Sequence, residues 1–345
     1  MILPLVRTRC YPLPFAGIHC LMGIIIANGS AAGSLLSSPT RGLKRVLWAL
    51  MLVMSVAIYG SHAPLLTLCK VDGKIPFSAS SVVVLTELTK LVLSISLLIW
   101  DRRQLGVSLS WCHAAPFALS ALLYAANNNL VVHMQLFMDP STYQVLSNLK
   151  IGSTALLYSM FLHQRLSLHK WLALFLLTAA GVSYTYGGLQ DLQHSSSSSE
   201  MQLHVTLIGL LLISVYCLIS GLSAVYTEVI LKTQDLPLTL QNLFLYFFGV
   251  LLNLIVHLLS SNGAGFLDGF SFWVLVIVVS QALNGLIMSV VMKHSSNITR
   301  LFVISCSMLV NALLSILLFS LQLTAFFFLA VLLIGLAVHL YYGVK

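Results

Sequence analysis

The chain has 345 residues, 59% of them hydrophobic and 8% charged, with a formal net charge of +8, and its mean hydropathy is +0.97. Soluble domains carry roughly 25% charged residues, so a water-soluble fold is excluded and the bilayer is the remaining solvent. In such a chain the basic excess reports on loop placement, and no nucleic-acid partner is expected.

Residues 1–44 do not fit a span. The stretch "FAGIHCLMGIIIA" (15–27) is apolar but too short to cross, and reads as part of a disordered or interfacial tail. Windows of about 20 apolar residues then recur near 46–68, 79–100, 112–135, 141–162, 169–188, 205–231, 239–259, 271–292, 298–319 and 323–342. The expected fold is an all-α integral membrane protein of ten transmembrane helices.

Polar side chains inside hydrocarbon turn toward the bundle interior, and ionisable ones mark functional sites. In the second window, "TELTK" (86–90) sets Glu87 and Lys90 three apart on one helical face. An ion pair is preferred there over a substrate contact. In the third, "YAANNNLVV" (124–132) puts Tyr124, Asn127 and Asn128 on one face at about 100° per residue. Amides with two donors and an acceptor suit a pyrimidine base or a ribose; interhelical hydrogen bonding is the alternative. In the fourth, Tyr143, Ser147 and Lys150 follow i, i+4, i+7, a stripe that suits a base and a phosphate. The alternative there is Lys150 paired with Glu87 or Glu228. In the sixth, Ser220 and Gly221 allow close backbone approach, for helix packing or for a ligand. In the seventh, Asn242, Tyr246 and Gly249 share a face. Between the eighth and ninth, "KHSSNITR" (293–300) opens a helix with Arg300 beside it, which suits a phosphate; an ordinary basic loop is the alternative.

Two separated cations, two tyrosine–asparagine stripes and few acids suit a charged aromatic anion such as a nucleotide. Catalysis is not expected, because no paired carboxylate and no nucleophile triad is present. The six cysteines and eleven histidines lack ligand spacing, so neither a metal nor a cofactor is expected.

Lysine and arginine placement sets orientation. With the tail on the cytosolic side, eleven basic residues fall there, Arg102, Lys170 and Lys293 among them, against Lys70 and Lys74 opposite. Both termini are then cytosolic. The low-complexity run "QHSSSSSE" (193–200) lies on the far side and divides the windows five and five. An odd number of spans per half inverts the second half, as in inverted-repeat transporters. The domains are thus a tail (1–44), a five-helix repeat (45–190), a serine-rich lumenal linker (191–204) and a second five-helix repeat (205–345).

Several stretches together carry a resemblance over roughly residues 46–342: "LTELTKL", "YAANNNL", "STYQVLSNLKI", "RLSLHKWLALFLLTAAGV", "SGLSAVYTEVILK", "QNLFLYFFG" and "NITRLF". The chain resembles the nucleotide-sugar transporter family of the drug/metabolite transporter superfamily, in the branch that carries CMP-sialic acid, UDP-galactose and UDP-N-acetylglucosamine. The resemblance implies a multi-pass Golgi carrier that exchanges a cytosolic nucleotide sugar for lumenal nucleoside monophosphate, in lipid, alone, as a homo-oligomer or as a hetero-oligomer with related transporters. It implies phosphate contacts at Lys150 and Arg300, and nucleoside contacts at Tyr124, Asn128, Tyr143, Ser220, Gly221, Asn242 and Tyr246. A UDP-sugar or a CMP- or CDP-linked sugar or alditol fits this set. The chain departs from the branch at Ser147, Gln241 and Phe248, and has Arg300 where lysine is usual. Those departures motivate the alternative of a nucleotide-binding or scaffold protein that no longer transports. A membrane glycosyltransferase is disfavoured, because the longest non-cytosolic loop offers only Asp191 and Glu200.

Overall fold

A computed structural model describes residues 39–71, 75–100, 111–134, 138, 140–162, 166–195, 207–260, 265–319 and 324–343. The expected tail through residue 38, the serine run after Ser195 and the loop residues Lys74, Arg102 and Arg103 lie outside the described residues. Among the described residues the chain is helical throughout, without β-strands.

The first half contributes α1 (Pro39–Leu68), α2 (Ala79–Trp100), α3 (Trp111–Met134), α4 (Pro140–Leu146), α5 (Lys150–Phe161) and α6 (Leu168–Ser195). A 3₁₀ turn, Ser147–Leu149, joins α4 to α5 within the fourth apolar window. The second half contributes α7 (Leu207–Thr233), α8 (Leu238–Ser260), α9 (Phe272–His294), α10 (Asn297–Phe319) and α11 (Ala325–Val338), which ends in a π turn, His339–Gly343. Among the described residues, helix occupies most of every expected window. Two helices outrun theirs: α1 begins at Pro39 and α6 continues to Ser195. Helical propensity does not stop where hydropathy does, since Gln, Arg and Lys are good helix formers. Seven helices are long and apolar enough to cross a membrane, among them Val46–Leu68, Ile208–Thr233 and Asn297–Phe319.

The outer surface is apolar and the inner contacts use small residues. On α11, Ala330, Ile334 and Ala337 are buried while Leu332 is 71% exposed. On α6, Ala173, Leu177 and Ala180 are buried while Phe175 is 70% exposed. Without water to drive association, close packing of small side chains holds such helices together.

The most extensive helix pairs all join one half to the other. α6 packs on α11 and α2 on α8. α1 packs on α10 as α5 does on α7. α1 packs on α9 as α3 does on α7. α2 packs on α9 as α3 does on α8. Exchanging each first-half helix with its counterpart five windows later maps this set of pairs onto itself.

At one end, Gly269 takes φ 71°, a conformation costly to any residue with a Cβ. A Cβ there would sit 2.1 Å from the Pro76 carbonyl oxygen. Phe270 stacks on Phe77 at 6.1 Å. This contact pins the α8–α9 segment against the α1–α2 segment, at the rim of the cavity described next.

Candidate functional site

A cavity of about 590 Å³ lies among α1, α2, α3, α7, α8, α9 and α10, so both halves build its walls. It runs from Ile75 and Phe77, in the segment before α2, to Met292 and Arg300. Arg300 comes from the first turn of α10. One of its Nη atoms donates to the Tyr124 hydroxyl at 3.3 Å, and the Tyr59 hydroxyl lies close by. Its Nε is buried with no hydrogen-bond acceptor. No carboxylate pairs with it among the described residues.

A second cation lines the same cavity. Lys90 on α2 is paired with Glu87 one turn earlier at 2.5 Å, and both keep partial access, at 13% and 18%. The Lys90 Nζ lies 4.6 Å from the centroid of the Tyr246 ring. The Tyr246 hydroxyl shares a hydrogen bond with Ser289 at 2.9 Å. A paired cation, a guanidinium without a carboxylate partner and the rings of Tyr59, Tyr124 and Tyr246 around one cavity can hold an anion that carries an aromatic group. No group of three metal-ligating side chains occurs among the described residues.

A second ion pair among the described residues lies in the last turns of α7, next to the cavity-lining Thr227. Glu228 is fully buried. Its Oε1 accepts from Lys232 Nζ at 2.5 Å, and its Oε2 from the Asn297 backbone N–H at 2.7 Å. Lys232 also donates to the Ser295 carbonyl at 2.6 Å. The first turn of α10 was expected to offer its positive dipole end to a phosphate. Glu228 already holds that place.

A model of the family described as "Nucleotide-sugar transporter" matches residues 41–342. The chain belongs to the nucleotide-sugar transporter family. It is similar to proteins named "Probable UDP-sugar transporter protein SLC35A4". The one from Xenopus tropicalis is 66% identical over 310 residues, covering 89% of this chain and 96% of the relative. The human one is 61% identical over 309 residues, 87% and 95% respectively. The Danio rerio one is 54% identical over 300 residues, 86% and 94% respectively. A protein of known crystal structure shares the fold, with a TM-score of 0.65 at 13% identity over 87% of this chain and 98% of that one. The relatives are named as transporters, and the chain is a multi-pass membrane transporter rather than an enzyme.

In this transporter the cavity brings together Arg300, Tyr124, Asn128 and Tyr246 from the residues expected at a site. Lys150, Tyr143, Ser220, Gly221 and Asn242 are not in its wall. Lys150 opens α5 and is half-buried against α7, near the Cys217 thiol. Tyr143 packs edge-on to Tyr216 of α7 at 5.7 Å. Gly221 meets α5 closely: a Cβ there would stand 3.1 Å from the Thr154 Cα and N. Asn242 is buried, with its Oδ1 unpartnered. Neither glutamate pairs with Lys150; Glu87 and Glu228 both take lysines on their own helices.

Sequence reasoning passed over the α9 wall. Gln281, Asn284 and Ser289 lie there, with Gly285 between. Asn284 accepts from Ser55 of α1 at 2.5 Å. The signal was available as polar residues at i, i+3 and i+8 within "SQALNGLIMSV" (280–290), a stripe on an otherwise apolar helix.

Proposed function

We propose that the transporter exchanges a cytosolic pyrimidine nucleotide sugar, a UDP-sugar foremost, for lumenal nucleoside monophosphate by alternating access in the Golgi membrane. The carrying observation is Arg300: a half-buried guanidinium with its Nε enclosed, at one end of a cavity built by both halves, held by tyrosine hydroxyls and by no carboxylate among the described residues. A buried cation without an anion is costly. An empty cavity of this kind resists closing, and a phosphate that neutralises Arg300 permits the halves to rock together. Exchange rather than leak follows from that. The names of the relatives support a UDP-sugar as substrate.

The exchange symmetry of the helix packing supports ten spans arranged as two inverted five-helix repeats, and the basic-residue count supports cytosolic termini. In that arrangement Lys150 and Arg300 lie in corresponding spans, the fourth of each half. Inverted repeats exchange conformations when access alternates. Lys150, packed on α7 here, then takes the cavity-lining part in the opposite-facing state, together with Tyr143, Ser220, Gly221 and Asn242.

The test is counterflow in proteoliposomes loaded with UMP or CMP and presented with labelled nucleotide sugars. Arg300→Ala is expected to slow exchange by about tenfold or more, the scale of one lost charge-assisted contact, and Arg300→Lys to keep part of it. Wild-type exchange by a folded Arg300→Ala protein would remove the basis of the reading. Saturable nucleotide binding without counterflow would favour the non-transporting alternative.

A further inference from the structure

We propose that Lys90 is the second phosphate-binding cation of the cavity, and that Glu87 is an internal anion which Lys90 gives up when a ligand phosphate arrives. This rests on the nucleotide reading of the cavity above. The sequence pointed to Lys150 as the partner of Arg300, yet Lys90 shares the cavity wall with Arg300 in this conformation.

The two ion pairs differ in their acids: Lys232 of the other pair is 31% exposed, but its carboxylate is shut away, whereas the Glu87 carboxylate stays 18% exposed at the cavity. The Glu228 carboxylate there is fully enclosed and satisfied by a lysine and a backbone N–H. At the Lys90–Glu87 pair both members stay partly open to the cavity. The second half makes room for them. A Cβ on Gly285 of α9 would stand 2.6 Å from Lys90 Cδ, and one on Gly249 of α8 would stand 2.8 Å from Glu87 Oε2. Glycine at both contacts leaves the space that these two side chains occupy.

The route between the two cations is lined by groups that bind anions and rings. Arg300 donates to Tyr124. Tyr246 lies within electrostatic reach of both Tyr124 and Glu87, and Lys90 sits over its ring. With Glu87 bound to Lys90, Arg300 is the cavity cation left without an anion among the described residues. A monophosphate contacting Arg300 leaves that arrangement intact. A diphosphate brings a further negative charge, and Lys90, flexible on its four-carbon stem, turns from Glu87 to meet it. The freed carboxylate is then an acceptor for ligand hydroxyls. No bond is made or broken; the ammonium changes one anionic partner for another.

The experiment measures binding of uridine, UMP and UDP to the purified protein from ligand-induced shifts in unfolding temperature and from radioligand competition. For Lys90→Gln the loss of affinity is expected to grow with phosphate count: none for uridine, little for UMP, about tenfold for UDP. For Glu87→Gln, which removes the competing anion, UDP is expected to bind several-fold tighter than to wild type. Lys90→Arg keeps the charge and is expected to rescue most of the UDP affinity. Should Lys90→Gln fold poorly, the Glu87→Gln/Lys90→Gln double variant leaves no unpaired charge and should show the same graded loss. If these variants change the three ligands equally, or Glu87→Gln weakens UDP, the pair is structural and the proposal is overturned. If the wild-type protein responds to none of the three, the nucleotide reading fails and this one with it.

Discussion

Two glycines that look alike in the sequence have opposite surroundings, and substitutions separate them. Gly221 lies against the backbone of α5, where a Cβ would come within 3.1 Å of the Thr154 Cα and N. A packed helix backbone yields little, so Gly221→Ala is expected to destabilise the protein by roughly 1–3 kcal/mol, the cost of overpacking, without changing nucleotide affinity in this conformation. Gly285 instead faces the aliphatic stem of Lys90, which can swing away. Gly285→Ala should therefore stay within about 1 kcal/mol of wild-type stability and weaken UDP binding by displacing Lys90. Thermal unfolding together with UDP titration of both variants checks the pair. A Gly221→Ala protein of full stability and poor affinity would mark Gly221 as a ligand contact after all. The sequence offered close approach at Gly221 without a way to choose its purpose, because spacing does not say which neighbour is a helix and which is open space. It could place Tyr124 with Asn128 on one stripe, since a regular helix preserves that register. It could not place Lys150, because the 3₁₀ turn at Ser147–Leu149 breaks the rotation on which the i, i+4, i+7 stripe depended.

Among the elements, the junction of α7 with the start of α10 is held by charge. The Glu228 carboxylate caps α10 through the Asn297 N–H and takes Lys232, which in turn donates to the Ser295 carbonyl. Its members are unequally buried: the Glu228 side chain is fully enclosed, whereas Lys232 is 31% exposed. Removing the exposed member leaves an enclosed carboxylate without its cation. Removing the enclosed charge leaves an ammonium that can reach water. Lys232→Met is therefore expected to cost more, on the order of 3 kcal/mol, than Glu228→Gln, at roughly 2 kcal/mol. Unfolding temperatures in one detergent decide this, and the reverse order would show that the pair does not carry the junction. The acidic residue in "VYTEVILK" and the basic loop after α9 were both visible in the sequence. Their meeting was not, because Glu228 and Asn297 are 69 residues apart and nothing in local spacing reports on a contact at that range.

For the whole molecule, the apolar windows gave the helices, and the packing shows what those helices do not do: they do not form two self-contained bundles. Every extensive helix pair crosses between the halves, α6 with α11, α2 with α8, α1 with α10, and the cavity wall is shared in the same way. Either half expressed alone would expose to lipid the small-residue faces that the other half covers, and would lose its closest packing partners. The halves are also joined in sequence through the stretch between α6 and α7, and a covalent link raises effective concentration without being the source of the contacts described. Fragments 1–200 and 201–345, produced from separate messages in one cell, are therefore expected to assemble into a complex that co-purifies through a tag on either piece. That complex should show nucleotide-dependent thermal stabilisation, while each fragment alone should aggregate in detergent. A single fragment that remained monodisperse and stable without its partner would mean that the halves fold as independent domains, and the interleaved packing would then be a late docking step rather than the source of the fold.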